Sequence, residues 1–221
     1  WEHAALGGSL SVEAILDFID QGHDVILATD SDATWVTREL ASSVGVEIDD
    51  EGTFVIDHFN FDARDSGSHT LFAASNIAPV KAVVGERKIN PVLYRGYAMR
   101  CDTMMVLQQS THYLRAYLLA CLVDGISSAG LILNPENQLV FPVLSGSSTC
   151  YSATPGDAIE EIKIAGTSTV LVASLQARNN ARVTVFGSLD ILSDSFATSN
   201  VQTASTKYVR PSMLLVRALP R

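Results

Sequence analysis

Between the apolar runs Thr169 to Ala173 and Val183 to Phe186, the chain gathers five polar side chains: Gln176, Arg178, Asn179, Asn180 and Arg182. Two short apolar runs joined by a polar link predict a hairpin or a strand-loop-strand unit, with those five side chains at one end of a sheet. Any of them that are buried must find partners, so the cluster constrains both the sheet and whatever packs beside it. Arg178 and Arg182 have the chemistry to grip a carboxylate or a phosphate. Equally, two Arg and two Asn can tie loops together through backbone carbonyls, and the general habit of side chains to bond backbone favours that second reading.

Upstream, the hydrophobic period changes. Val12, Ile15, Leu16 and Ile19 recur at helical spacing, so Ser9 to Asp20 predicts a helix with Ser9 or Ser11 as cap and Gly22 as stop. Thr34 to Val44 predicts a second helix, with Val36, Leu40 and Val44 on one face and Gly45 ending it. Val25 to Ala28, Thr53 to Ile56, Thr70 to Ala74, Val80 to Val84, Val92 to Tyr94 and Leu139 to Leu144 read as strands. Alternation of helix and strand in the first half implies βα units and a largely parallel sheet, and the second half is richer in strands. The expected class is an α/β sandwich with an antiparallel extension. Arg100 to Ile132 fits this pattern poorly; its stripe of Leu114, Tyr117, Leu118, Cys121 and Leu122 reads as a helix packed on the core.

Composition excludes several classes. With 221 residues, 47% of them hydrophobic, the chain can bury a core and is not a disordered tract. A net charge of -9 and scattered Lys and Arg argue against nucleic acid as partner. Cys101, Cys121 and Cys150 leave at least one thiol unpaired and show no CxxC spacing, so neither a disulfide scaffold nor a zinc module is expected. The chain contains no Asn-x-Ser/Thr sequon. Its longest apolar stretch, around Tyr113 to Val123, is well short of the ~20 residues that span a bilayer.

Three segments carry candidate chemistry. Asp57 and His58 end a predicted strand, with Asp62, Asp65 and His69 close behind, and carboxylates and imidazoles so placed hold divalent metals in many α/β hydrolases. The plainer reading is a solvated loop in which Asp57 caps a turn and His58 bonds backbone. Cys150 follows Gly146-Ser147-Ser148-Thr149, yet bulky neighbours replace the glycines a nucleophile elbow needs. A small buried side chain is expected there. Ser145 to Ser148 lacks the Walker Lys-Ser/Thr pair and the GxGxxG spacing, so it reads as a polar turn.

These segments also carry a resemblance. Gly7-Gly8, Phe18-Ile19-Asp20, Val55-Ile56-Asp57-His58 running on to Asp62, Asn90-Pro91 with Arg95-Gly96, Ser145 to Thr149, Gln176 to Val183 and Gly187 to Asp190 occur in one order. In that order they resemble the forty-eight-kilodalton subunit family of oligosaccharyltransferase, over roughly Gly7 to Met99 and Leu133 to Ala204. The resemblance implies an amidotransferase-like, flavodoxin-like α/β domain in the endoplasmic reticulum lumen, then β-rich structure and a C-terminal membrane helix. It implies a non-catalytic subunit, without cofactor or metal, needed for assembly and stability of the complex that transfers a dolichol-linked oligosaccharide to asparagine. Partners would be the catalytic subunit and ribophorin-type and defender-against-death-type accessory subunits. Fold likeness carries no amidotransferase activity, since no Cys/His/Glu triad is recognisable.

The expected organisation is a first α/β part over 1–99, an atypical insertion over 100–132, a β-rich second part over 133–205 and a divergent tail over 206–221. The family's opening β-α-β portion and its membrane helix have no counterpart in the sequence given. A sheet so shortened is expected to expose apolar faces and an unpaired edge, and Arg100 to Ile132 is expected to rest on the domain as a translated intron or peripheral insertion. Two other readings remain open on the residues: a metal-dependent phosphoesterase using Asp57 and His58, and a sugar- or pyrophosphate-binding module with Arg178, Asn179 and Arg182 around an open pocket.

Overall fold

A computed structural model describes residues 5–7, 10–29, 33–79, 84, 91–96, 99–101, 139–159 and 162–203. The chain opens with two short paired strands, β1 (Ala5–Gly7) and β2 (Leu10–Ser11), which run straight into helix α1 (Val12–Asp20). Ser11 caps α1 by accepting the Ala14 N–H at 3.1 Å. Val12 and Ile19 are buried, with Ile15 and Leu16 packed beside them on the same face. Gly22 stops the helix with φ +91°, its N–H donating to Ile19 O at 2.9 Å. Strand β3 (Val25–Ala28) leads to helix α2 (Trp35–Ser43), capped by Thr34 and buried along Val36, Leu40 and Ala41. Gly45, at φ +81°, turns the chain out of α2.

Short strands follow: β4 (Val46–Ile48), β5 (Phe54–Ile56), β6 (Phe72–Ala74), β7 (Asn76–Ile77), β8 (Val92–Tyr94) and β9 (Met99–Cys101). The later strands β10 (Val140–Ser145), β11 (Tyr151–Ala153), β12 (Val170–Gln176) and β13 (Arg182–Phe186) precede a short helix, Asp194–Thr198. The main sheet runs β3-β13-β12-β10-β7, with β9 bridging β12 and β4. β5 pairs with β11, and β6 with β8, in separate two-stranded sheets.

The molecule is mixed α/β with few helices. The largely parallel sheet expected from helix-strand alternation is not what forms: among the described residues the parallel pairing is β3 with β13, and the other pairings are antiparallel. The reason is topological. β3 finds its partner in a strand more than 150 residues later, and that strand belongs to a hairpin, so its other neighbour must be antiparallel. The predicted strand at Val80 to Val84 is described at Val84 alone, which is helical; the helix expected within Arg100 to Ile132 and the tail after Ala204 lie outside the described residues.

β12 is buried from Val170 through Leu175, and β13 throughout, because both faces of the central sheet are covered. On one face Ala173, Leu175, Val183 and Val185 pack with Ile19, Ala41 and Val44 from the helical side. On the other, Leu171, Val172, Phe186 and Val143 pack with Val55, Phe72 and Tyr94 from the two small sheets. Gly96 lies where this second layer meets the β13 end: a Cβ there would stand 2.2 Å from Gly187 O and 2.9 Å from Ser188 Cβ. Gly96→Ala is therefore expected to lower stability by about 1–3 kcal/mol in chemical denaturation. An unchanged midpoint would show that this contact is not as close as described.

Candidate functional site

The Asp57 side chain is 0% exposed and sits at the end of β5. Its Oδ1 accepts the Phe59 N–H at 3.0 Å, the Asn60 N–H at 3.1 Å and the Thr149 hydroxyl at 3.1 Å. Its Oδ2 accepts Asn60 Nδ2 at 2.9 Å and the Ser147 hydroxyl at 2.6 Å. A carboxylate offers about four lone-pair directions, so these donors saturate it. Burial pushes the Asp57 carboxyl up, but the bonds from Ser147, Asn60 and the Phe59 N–H outweigh it and hold the group below its ordinary value. Asp57 does cap a turn, as the plainer reading expects, but it is buried rather than solvated.

Two further carboxylates organise the same loop. Asp62 accepts the Arg64 N–H at 3.1 Å, Arg64 Nε at 2.7 Å and the Gln202 N–H at 2.9 Å, tying the loop to the end of the described chain. Asp65 accepts the N–H groups of Gly67, His69 and Leu71 between 2.7 and 2.9 Å. Burial opposes ionisation of both, and their hydrogen bonds prevail, so both lie below the usual carboxylate value. His69 has φ +57°, a left-handed backbone uncommon outside glycine. His58 donates to or accepts from Tyr151 OH at 2.8 Å and pairs through Nδ1 with His69 Nδ1, so it bonds side chains and not backbone. Among the described residues no three His, Cys, Asp or Glu side chains stand together as a metal-binding group.

The turn expected at Ser145 to Thr149 is the partner of Asp57. Gly146 is needed for close approach, since a Cβ would lie 2.1 Å from Cys150 Sγ. Cys150 is buried and unpaired, and its Sγ lies 3.1 Å from Ser147 O and 3.3 Å from Gly166 O. Burial pushes its thiol up, and the nearby Asp57 charge adds to the rise, while the Thr169 hydrogen bond only partly offsets both. That is the opposite of what an activated nucleophile needs.

The Gln176 to Arg182 cluster divides in two. Gln176 and Arg182 face each other across β12 and β13; Gln176 Oε1 accepts Arg182 Nη2 at 2.6 Å and Nε at 3.1 Å, and Arg182 is 5% exposed. The Arg182 N–H donates to Asp24 Oδ1 at 2.9 Å, fixing the start of β3. The link closes by a turn, Asn180 N–H to Ala177 O at 3.1 Å, with Asn180 left-handed at φ +71°. Asn tolerates that conformation through its short side chain. Asn179 reaches out instead, and its Nδ2 donates to Ile19 O at 2.8 Å and Asp20 O at 2.9 Å, satisfying carbonyls that α1 leaves open. Arg178 is exposed at the tip. Asn179 and Arg182 thus serve different neighbours and do not converge on a pocket.

A third joint was not predicted from sequence. Arg95 Nε and Nη2 bind Asp190 Oδ2 at 2.9 and 2.6 Å, and the Ser188 hydroxyl donates to Arg95 O. The signal was present in Arg95-Gly96 and Gly187 to Asp190 as separate motifs, but nothing in either named the other.

Comparison with known proteins places these features in a family. A family model described as OST48, N-terminal domain, matches residues 2–120 and 120–214. The dolichyl-diphosphooligosaccharide–protein glycosyltransferase 48 kDa subunit of Danio rerio is 39% identical over 203 residues, covering 90% of this chain and 39% of that protein. The subunit of the same name from Arabidopsis thaliana is 37% identical over 204 residues, and that of Drosophila melanogaster 35% over 207, with the same coverage. The chain therefore spans about two fifths of the length of these relatives.

Two outcomes follow from the geometry. Groups whose carboxyls are held low in the fold contribute stability that is complete above their unfolded value, about 3.9, and is lost as pH falls through the folded values. Denaturation measured against pH should therefore show stability falling in acid below about pH 5, and less steeply in Asp57→Asn, which should itself be weaker by about 1–3 kcal/mol near neutrality. Identical acid slopes would detach Asp57 from this effect. Arg182→Ala should lower stability by about 1–3 kcal/mol, because it strands Gln176 and removes the clasp. An unchanged melting temperature with impaired assembly would make the cluster a binding surface.

Proposed function

The chain belongs to the 48 kDa subunit family of oligosaccharyltransferase, and on that premise we propose that it is a non-catalytic, lumenal part of that complex in the endoplasmic reticulum membrane. Its role is to support assembly and stability of the machinery that moves a dolichol-linked oligosaccharide onto asparagine. The observation that carries this reading is identity of 35–39% across 90% of the chain to subunits bearing that name. The internal use of its polar clusters supports it. Asp57, His58, Gln176, Asn179 and Arg182 are bonded to neighbouring segments of the chain, which suits a scaffold better than a reaction centre.

Within this proposal the α/β part is flavodoxin-like, which α1 and α2 packed on one face of the sheet and the parallel β3–β13 pair favour. The chain divides at about 99, 132 and 205, with 100–132 peripheral to the domain. Its partners are the catalytic subunit and the ribophorin-type and defender-against-death-type subunits, and a membrane helix of the whole protein holds it in place. Among the described residues no helix is long and apolar enough to cross a membrane.

Affinity purification of the full-length gene product from endoplasmic reticulum membranes should bring down the catalytic oligosaccharyltransferase subunit. Recovery without membrane partners would sink the assignment. Metal-dependent phosphoester turnover that His58→Ala abolishes would overturn the non-catalytic part alone.

A further inference from the structure

A cleft of about 570 Å³ opens on a part of the surface that none of the sequence motifs marks. Its lining includes Asp49, Asp50, Ser152, Asp157, Ile159 and Lys163. That volume falls in the range of about 300–1,000 Å³ in which small ligands are held. Two of the lining residues are almost wholly buried, Asp49 at 5% and Ser152 at 4% exposed. Asp49 Oδ1 and Ser152 Oγ are closed to solvent and have no hydrogen-bond partner. A buried polar atom left without a partner is costly and uncommon in a folded protein, and two in the lining of one cleft call for a common account.

The walls are built. Arg38, from α2, donates to Ile48 O at 3.1 Å and Asp49 O at 2.6 Å, which fixes the main chain that presents the Asp49 carboxylate. Ser152 is held in β11 opposite Val55, with its N–H on Ile164 O at 3.0 Å. Thr53 donates its hydroxyl to Asp50 O at 2.8 Å, and Lys163 pairs with the Asp50 carboxylate. Neither unpartnered atom therefore reflects a loose backbone.

We propose that this cleft binds a neutral saccharide. The unpartnered pair asks for complementary chemistry: the carboxylate oxygen only accepts, while the serine hydroxyl must both donate and accept. A sugar hydroxyl gives its hydrogen to Asp49 and takes one from Ser152, after a torsional adjustment of two short side chains. A cationic amine or guanidinium satisfies the carboxylate but offers no acceptor to the serine hydrogen, and Lys163 already neutralises Asp50. Metal chelation is disfavoured because no three carboxylates, imidazoles or thiols are grouped among the described residues. Ala153, Ala158 and the half-exposed Ile159 give the lining an apolar part for the C–H face of a sugar ring.

The test is calorimetric titration of the full chain with maltotriose, chitobiose and mannobiose as neutral probes and spermidine as the cationic one. Saturable binding of at least one neutral probe is expected, weakened about tenfold or more by Asp49→Asn and by Ser152→Ala. Ser152→Ala should leave the ligand-free melting temperature unchanged or raise it, since it removes a hydroxyl that has no partner; it keeps the test open if Asp49→Asn fails to fold. Absence of binding by all three sugars, binding of spermidine alone, or sugar binding that survives both substitutions would overturn the proposal. None of these results depends on co-purification with other subunits.

Discussion

Burying the Asp57 charge sets the terms for the second core layer. An ionised carboxylate removed from water is tolerated only when its oxygens are fully bonded, and here the donors come from both sides: Phe59 and Asn60 beside it, Ser147 and Thr149 ninety residues on. The loop after β5 and the loop after β10 must therefore meet at a fixed distance. That fixes β11, which pairs with β5, and it presses Gly146 against Cys150. Remove one donor and the carboxylate stays buried with an open lone pair, so the arrangement resists partial loosening.

The same logic repeats at the other joints. The Asp57 segment meets Ser145 to Thr149. Arg95-Gly96 meets Gly187 to Asp190. Asn179 in the Gln176 to Arg182 link meets Ile19 and Asp20. The motifs that carry the family resemblance are thus paired halves of contacts, each joining an early stretch of the chain to a late one. The sheet has the same character, since β3 runs parallel to β13 and α1 is finished by a residue of the β12–β13 link. Apolar burial on both faces supplies the bulk of the stabilisation, and the polar joints choose the register in which it occurs.

What could be read in advance follows from whether a signal is local. Helices α1 and α2 were legible because Ser11, Thr34, Gly22 and Gly45 act within four residues of the turn they cap or end. The β12–β13 hairpin was legible because two apolar runs flank a short polar link, although β12 runs on to Gln176, past the apolar run itself. Strand direction was not, because β3 could pair with any later strand and the periodicity of Val25 to Ala28 is silent on which. Asp57 and His58 were visible as chemistry but not as structure: the same Asp-His pair suits a metal site or a saturated loop, and only the positions of Ser147, Thr149, Tyr151 and His69 distinguish them. The cleft at Asp49 and Ser152 carried no motif at all, since its significance lies in bonds not made.

Satisfied and unsatisfied polar groups therefore divide the molecule in a way that bears on its work. Where Asp57, Asp62, Asp65 and Arg182 are buried or half-buried, their bonding capacity is directed inward, and nothing remains to engage a substrate without dismantling the joint. A catalytic carboxylate needs the reverse, an oxygen held in place with a lone pair facing the reacting atom. Asp49 comes nearer to that description, yet no imidazole or thiol lines the cleft with it, and the one ammonium there is paired with Asp50. A carboxylate and a hydroxyl without a base or nucleophile can recognise a ligand but have no means of transforming it. Recognition without chemistry is a coherent capacity for a chain whose elaborate polar bonding otherwise serves to hold its own segments together.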